Sequence, residues 1–342
     1  MSNSHHAPML LFPAEEEDTW NLYNIMEKKV LGMQVTVPPN YKRFCGSSKG
    51  WLIALDENFV VTLINPFSRV KGRRAKENSI IRLPPLDFNL STIRSWRKLY
   101  QHYLTRATIS ADPILYPDDC IVAIVFEEAY ELAFLRLKKD TSWTYITGEI
   151  SLKVYQIIHD VVHIENKFYA LNRWDKLLSF DITDEFHPDA KLVTCGGARG
   201  KSVSNRYLVY SEDKRELLVV HSYIIYEDGC EKRWTRRFRV FGLDLEKFKW
   251  IKKKNCLGGL SIFLGDNSSI AVLASKFPGC KPDRIYFNHE IDRLRNDEVS
   301  PHDFGVYNFK TKMFEKGYSK RVKTQLRRSK RYPIWIVPTF HL

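Results

Sequence analysis

The sequence predicts an all-β fold assembled from repeated hairpins, and three observations predict it. Short runs rich in β-branched and aromatic residues recur about every 8–12 residues, with turn signals between them. Three or four such runs fall within each stretch of about 40–50 residues, the scale of one propeller blade. Several runs end on an aromatic followed by Asp or Asn, as in Phe180-Asp181-Ile182, Phe241-Gly242-Leu243-Asp244-Leu245 and Val306-Tyr307-Asn308-Phe309. An outer strand followed by an Asp or Asn turn would close one blade before the chain crosses to the next. A sandwich and a barrel share the strand spacing; the repeat length favours a propeller.

Composition bounds the possibilities. The 342 residues are 44% hydrophobic and 13% aromatic, enough for a large core and too apolar for general disorder. The formal charge of +13, from 53 basic and 40 acidic residues, suits an acidic partner and equally suits a solvated basic surface. Met9-Leu10-Leu11-Phe12 is too short for a secretory signal, and Pro13 and Glu15-Glu16-Glu17-Asp18 follow it. No run approaches the roughly 20 apolar residues that span a bilayer, so no membrane role is expected. Cys45, Cys120, Cys195, Cys230, Cys256 and Cys280 are scattered without a C-x-x-C pair. They read as reduced, mostly buried thiols in an intracellular protein of the cytoplasm, the nucleus or both.

Two regions follow from the order of elements. Residues 1–40 read as an N-terminal extension, loose at its start. Its stretch 18–31 is compatible with a short helix through Trp20, Tyr23, Ile25, Met26 and Val30, which Gly32 ends; Pro38-Pro39 marks a hinge. Residues 41–342 form the β domain. Its first hairpin is announced by Gly46-Ser47-Ser48-Lys49-Gly50, with Trp51 as a core anchor at the head of Trp51-Leu52-Ile53-Ala54-Leu55. The acidic turn Asp56-Glu57-Asn58 returns the chain as Phe59-Val60-Val61-Thr62-Leu63-Ile64. A Lys/Arg-rich loop spans 68–79, and 89–104 is ambiguous between loop and helix. Further strand pairs then run to Ile334-Trp335-Ile336-Val337.

Against this background the chain resembles the plant DUF295, or KIB1-4 β-propeller, domain of F-box proteins. The resemblance rests on Arg43-Phe44-Cys45-Gly46-Ser47-Ser48-Lys49-Gly50-Trp51-Leu52, Leu63-Ile64-Asn65-Pro66-Phe67, Leu83-Pro84-Pro85-Leu86 and Lys167-Phe168-Tyr169-Ala170-Leu171. It continues through Phe263-Leu264-Gly265-Asp266-Asn267-Ser268-Ser269, Phe277-Pro278-Gly279-Cys280-Lys281, Arg284-Ile285-Tyr286-Phe287 and Pro333-Ile334-Trp335-Ile336-Val337-Pro338. The resemblance implies a single β-propeller of about six to seven diverged blades. It also implies a substrate receptor of Skp1–cullin–F-box ubiquitin ligases, in which the propeller holds substrate and the F-box holds Skp1. Residues 1–40 lack the Leu-Pro start and the helical length of an F-box, which puts the Skp1 contact in doubt.

The motifs carry no recognisable catalysis, cofactor or metal site. Gly196-Gly197-Ala198-Arg199-Gly200-Lys201-Ser202 ends like a phosphate loop, but Cys195 stands where the first glycine is required. Gly265-Asp266-Asn267-Ser268-Ser269 has one carboxylate, too few for calcium, and reads as a turn in which Asp and Asn bond their own backbone. His289-Glu290 begins like H-E-x-x-H, but Arg293 replaces the second histidine. The expected function is therefore a non-enzymatic protein-interaction propeller. Its candidate binding loops are 69–79, 226–237 and 290–303. Basic segments supply an alternative, nucleic-acid binding, and a candidate import or interaction segment: Lys320, Arg321, Lys323, Arg327, Arg328, Lys330 and Arg331.

Overall fold

Six sheets account for the repeated hairpins, and they are the blades of an all-β propeller. The structure, a computed structural model, describes residues 6–39, 41, 43–87, 103–126, 131–146, 157–181, 189–194, 205–226, 233–289, 301–329 and 331–339. The expectation of six to seven blades thus resolves to six.

The first sheet contains β1 (Met9–Pro13), β2 (Thr19–Asn24) and β3 (Lys29–Thr36). The second holds β4 (Phe44–Ser48), β5 (Trp51–Leu55), β6 (Val60–Ile64) and β7 (Ile80–Pro85). The third holds β8 (Leu104–Ile109), β9 (Ile121–Phe126), β10 (Glu131–Arg136) and β11 (Thr144–Ile146). The fourth holds β12 (Ile158–Ile164), β13 (Lys167–Asn172), β14 (Leu177–Asp181) and β15 (Asp189–Thr194). The fifth is β16 (Asn205–Ser211), β17 (Glu216–Tyr226), β18 (Arg233–Asp244) and β19 (Lys249–Lys252). The sixth has five strands: β20 (Leu260–Leu264), β21 (Ser269–Leu273), β22 (Arg284–Phe287), β23 (Gly305–Asn308) and β24 (Met313–Glu315), in the order β21-β20-β22-β23-β24. Within it β20 and β22 run parallel, joined by a crossover that includes β21. Helix α1 (Lys320–Arg328) follows, and β25 (Ile334–Ile336) returns to pair with β1, giving the first sheet the order β25-β1-β2-β3.

That last pairing corrects the reading of residues 1–40. Residues 9–36 are not an extension with a helix but three strands of a blade completed from the other end of the chain. The spacing of Trp20, Tyr23 and Met26 resembles a helix because every residue of β2 is buried, which removes the alternation that marks a half-exposed strand. The turn after β2 is set by Asn24, whose Oδ1 accepts from the amides of Met26 and Glu27, and by Lys28 in the left-handed region at φ 54°.

The aromatic-Asp strands also stand elsewhere than expected. Strands β14, β18 and β23 each have another strand after them, β15, β19 and β24. The Asp or Asn therefore ends a penultimate strand. Asp244 shows how: its Oδ1 accepts from the amides of Glu246 and Lys247, turning the chain back into β19.

The described chain forms two compact units of three sheets each. One comprises Met1–Leu86, Gly258–Asn308 and Met313–Leu342; the other comprises Asp87–Leu257 with Phe309–Lys312. In the first unit, successive residues of β1 serve two cores. Leu10 and Phe12 pack with Tyr23, Phe263, Tyr286 and Trp335, while Leu11 packs with Trp20, Leu22, Phe44, Leu52 and Ile334. This is the period of two of a strand buried on both faces, and each such side chain contributes about 1.5–3 kcal/mol. Trp51 is 1% exposed, as the anchor role requires. The turn ahead of it has Lys49 at φ 51° and Gly50 at φ 79°, the double left-handed pattern of a type I′ hairpin turn.

In the second unit, Phe134, Phe168 and Phe180 pack together, and Leu171, Leu177, Leu208, Leu217 and Val219 form a further cluster. Cys45 and Cys120 are buried, Cys280 is half-buried and Cys256 is exposed; Cys195 and Cys230 lie outside the described residues. No helix among the described residues is long and apolar enough to cross a membrane.

Candidate functional site

Strands β17 and β18 run for 11 and 12 residues, about twice the usual five or six. The reason is visible along one face of β17, where alternate residues point the same way. Leu217 and Val219 belong to the apolar cluster with Leu171, Leu177 and Leu208. His221 comes next, then Tyr223, both buried, and then Ile225, 47% exposed. One strand face thus passes from core to polar node to solvent. The hairpin continues beyond what the core needs.

The polar node is built on Asp175, in the turn between β13 and β14. Asn172 shapes that turn by accepting from the amides of Trp174 and Lys176, and Asp175 takes the left-handed region at φ 59°. Its Oδ1 lies 2.9 Å from His221 Nε2 and accepts from Arg206 Nε at 2.9 Å. Its backbone carbonyl accepts from Trp250 Nε1 at 2.8 Å. Arg206 stands opposite His221 in the β16–β17 register, so one carboxylate fixes two neighbouring cationic or ionisable groups. The node is almost wholly shielded from water and positions the root of the hairpin.

Above the node, Arg239 pairs across the sheet with His221, and Arg237 with Tyr223. The Arg237 and Arg239 guanidinium carbons lie 4.5 Å and 5.0 Å from the Tyr223 ring centroid. Both cations therefore rest on one aromatic, an attraction of about 0.5–2 kcal/mol each. Neither forms an ion pair with a carboxylate among the described residues. The register shifts between Tyr223 and Ile224, and the pairing resumes with Ile225 opposite Trp234, itself 37% exposed. Tyr226, 46% exposed, ends the strand. The candidate loop 226–237 thus includes this described hairpin arm; its tip, 227–232, lies outside the described residues.

The other expected segments are more committed to the fold. In loop 69–79, Arg69 Nε donates to Thr36 O, Val70 forms a β-bridge with Val35, and Lys71 pairs with Glu16 at 2.5 Å. Arg73 and Arg74 are exposed there. Of the segment 290–303, only 301–303 is described; His302 is buried with its ring centroid 4.5 Å from that of His289. The phosphate-loop-like stretch 196–202 lies outside the described residues.

The basic segment is divided by helix α1. Ser319 caps it by accepting from the Val322 amide, and Val322 and Leu326 face the core. Lys320, Arg321, Arg327 and Arg328 are exposed, Lys323 is half-buried, and Lys330 lies outside the described residues. Arg327 stacks over Phe304 at 5.7 Å. Arg331 lies over the Trp20 ring at 4.9 Å and donates to the Glu17 carbonyl. Burial lowers the Arg331 pKa from its ordinary value, against the opposing pull of Glu17 and Asp18.

The turn expected at Gly265–Ser268 is present, closed by the Gly265 amide on the Ser268 carbonyl, and it also anchors another strand. The Asp266 and Asn267 side chains reach across to β4 and the residue before it. Arg43 Nε donates to Asp266 Oδ2 at 2.6 Å, Arg43 Nη2 donates to Asn267 Oδ1 at 3.1 Å, and Asn267 Nδ2 donates to the Phe44 carbonyl. Sequence reading missed this lock and the Asp175 node alike. The partners are separated by 223 and 46 residues, respectively, and no local pattern links them.

The family comparison agrees with the fold. A family model described as KIB1-4 beta-propeller matches residues 22–308. The chain is 24% identical over 292 residues to F-box protein At2g26160 of Arabidopsis thaliana, covering 78% of this chain and 81% of that protein. It is 25% identical over 256 residues to F-box protein At4g35733 of the same plant, covering 71% and 67%. Among solved structures, it is similar to the Cps50 (Swd1) β-propeller domain of Myceliophteria thermophila, with a TM-score of 0.42 and 11% identity, covering 92% of this chain and 87% of that one.

Proposed function

Because the chain belongs to the KIB1-4 β-propeller family, we propose that it is a non-enzymatic substrate receptor for a Skp1–cullin–F-box type of ubiquitin ligase, receiving a protein on the β17–β18 hairpin. Relatives described as F-box proteins support the ligase setting. The observation that carries the receiving surface is the overlong hairpin, which presents Ile225 and Trp234 to solvent beyond its packed root. A cross-strand aliphatic–aromatic pair left in water gains most by being covered. Loops and hairpin ends held by a rigid scaffold are common binding elements. Residues of β1–β3 are blade strands, so the Skp1 contact is not assigned to them.

The test places a photo-crosslinking amino acid at Ile225 in the full chain, expressed in Arabidopsis cells. The expected result is a discrete crosslinked protein that is lost with Trp234→Ala, and whose ubiquitination falls when the chain is depleted. Skp1 recovery in the same precipitates reads the ligase setting. Crosslinks that are absent, or that persist unchanged with Trp234→Ala, overturn the receiving surface; unchanged ubiquitination overturns the ligase role.

A further inference from the structure

Resting on that receiving role, we infer that the β17–β18 hairpin takes an extended acidic protein segment in which two carboxylates at alternate positions are followed, two residues on, by one large apolar side chain. The spacing of the strip specifies this chemistry. Arg237 and Arg239 lie on Tyr223, and immediately beyond them on the same face stand Ile225 and Trp234. Stacking fixes each guanidinium while leaving its N–H edge available for an oxygen acceptor, and a guanidinium fork matches a carboxylate well.

Among the described residues no carboxylate serves the strip as a counter-ion. Asp175 is engaged by Arg206 and His221, and Arg237 and Arg239 have no carboxylate partner among the described residues. The Tyr223 hydroxyl, buried beneath them, has no hydrogen-bond partner among the described residues either. Two oriented cations and an apolar pair set side by side complement a ligand with the same two features in sequence.

A nucleic-acid strand fits less well. Ile225 offers no ring for base stacking, and the sequence of the hairpin tip, 227–232, contains Glu227, Asp228 and Glu231 against a single Lys232. A continuous line of phosphates following the strip would meet that acidic stretch. A short segment whose negative charge is confined to two or three residues need not.

Fluorescence polarisation on the full chain distinguishes these ligands. The probes are labelled twelve-residue peptide pools with a fixed Asp-Ser-Glu-Ser-Leu core and random flanks, matched Asn-Ser-Gln-Ser-Leu and Asp-Ser-Glu-Ser-Gly pools, and a twelve-nucleotide oligothymidylate. The Asp-Ser-Glu-Ser-Leu pool is expected to bind about tenfold more tightly than either matched pool, weakening as salt rises. Arg237→Glu with Arg239→Glu, and separately Trp234→Ala, are each expected to cost about tenfold or more. Equal binding of the three pools, no binding of any, tighter binding of the oligothymidylate, or variants that bind like the natural chain overturn the inference. A thermal melt confirms that the variants fold; Trp234→Ala alters an exposed side chain and keeps the test valid if the double charge reversal does not. Ile225 crosslinks without discrimination among the pools would leave the receiving role standing and remove only this chemistry; loss of both removes both.

Discussion

The Arg43 guanidinium meets the Asp266 carboxylate at 2.6 Å, with side-chain exposures of only 2% and 6%. Burial alone would depress the arginine's pKa, yet the charge and hydrogen bond of Asp266 hold it above its ordinary value. Removing one partner strands the other charge away from water. Asp266→Leu is therefore expected to cost about 3–5 kcal/mol, whereas Arg43→Met with Asp266→Leu recovers most of that loss. Urea denaturation of the two variants measures it; a double variant as unstable as the single one refutes the explanation.

A looser pair behaves differently with pH. Arg106 Nε is 3.5 Å from Asp160 Oδ1, within ion-pair range but outside hydrogen-bond geometry. Burial raises the Asp160 pKa despite Arg106 and the Leu208 and Val161 amides, which pull it down. The native state thus holds the Asp160 proton more tightly than the unfolded chain does. This contribution is present below the unfolded pKa of about 4 and is lost as pH rises through the higher folded pKa. Asp160→Asn cannot titrate, and its amide nitrogen cannot accept from the Leu208 amide as Oδ2 does, so it costs about 1–3 kcal/mol. The stability gap between the natural chain and the variant is expected to narrow as pH rises from about 4 to 7. A gap that widens would show the opposite shift.

The cysteines should react in order of exposure and ionisation. Burial pushes the Cys120 thiol up to about 12, while Cys256 is exposed. At pH 8 a thiol of pKa about 12 is roughly one part in ten thousand thiolate, and the thiolate is the reactive form. Iodoacetamide labelling followed by peptide mass spectrometry is expected to modify Cys256 first and Cys120 only after denaturant is added. Early labelling of Cys120 in the folded chain contradicts its placement.

The basic segment divides on the same physical grounds. Arg331 covers the Trp20 ring and bonds the Glu17 carbonyl, whereas Arg328 is exposed at the end of α1. Arg331→Ala is expected to cost about 1–2 kcal/mol and Arg328→Ala less than about 0.5. Equal thermal shifts for the two variants would contradict this division.

What the sequence makes legible is local. The Lys49-Gly50 turn, the Trp51 anchor and the Asp56 turn are each specified within a few residues; Asp56 Oδ1 accepts from the amides of both Asn58 and Val60. The first blade is illegible because β1 finds its edge-strand partner, β25, more than three hundred residues away, while complete burial hides the strand period of β2. The hairpin site was legible in part. Its basic and aromatic residues stand in one stretch, but only the β17–β18 register brings Arg237 and Arg239 onto Tyr223 and sets Trp234 opposite Ile225.

The β1–β25 pairing also determines how the molecule yields to force. Met9 stands opposite Ile336 and Leu11 opposite Ile334, so the outward-leading ends of the two strands leave from the same side of the pair. Pulling those ends apart loads the ladder one rung at a time, in the unzipping direction, rather than shearing all its hydrogen bonds together. The first resistance then comes from the Trp335 amide on Ser268 Oγ and the indole N–H on the Leu264 carbonyl. Traction on the two ends, as by an unfolding motor or an optical trap, would open the propeller at this seam and peel β25 away while the other five blades still held their strands.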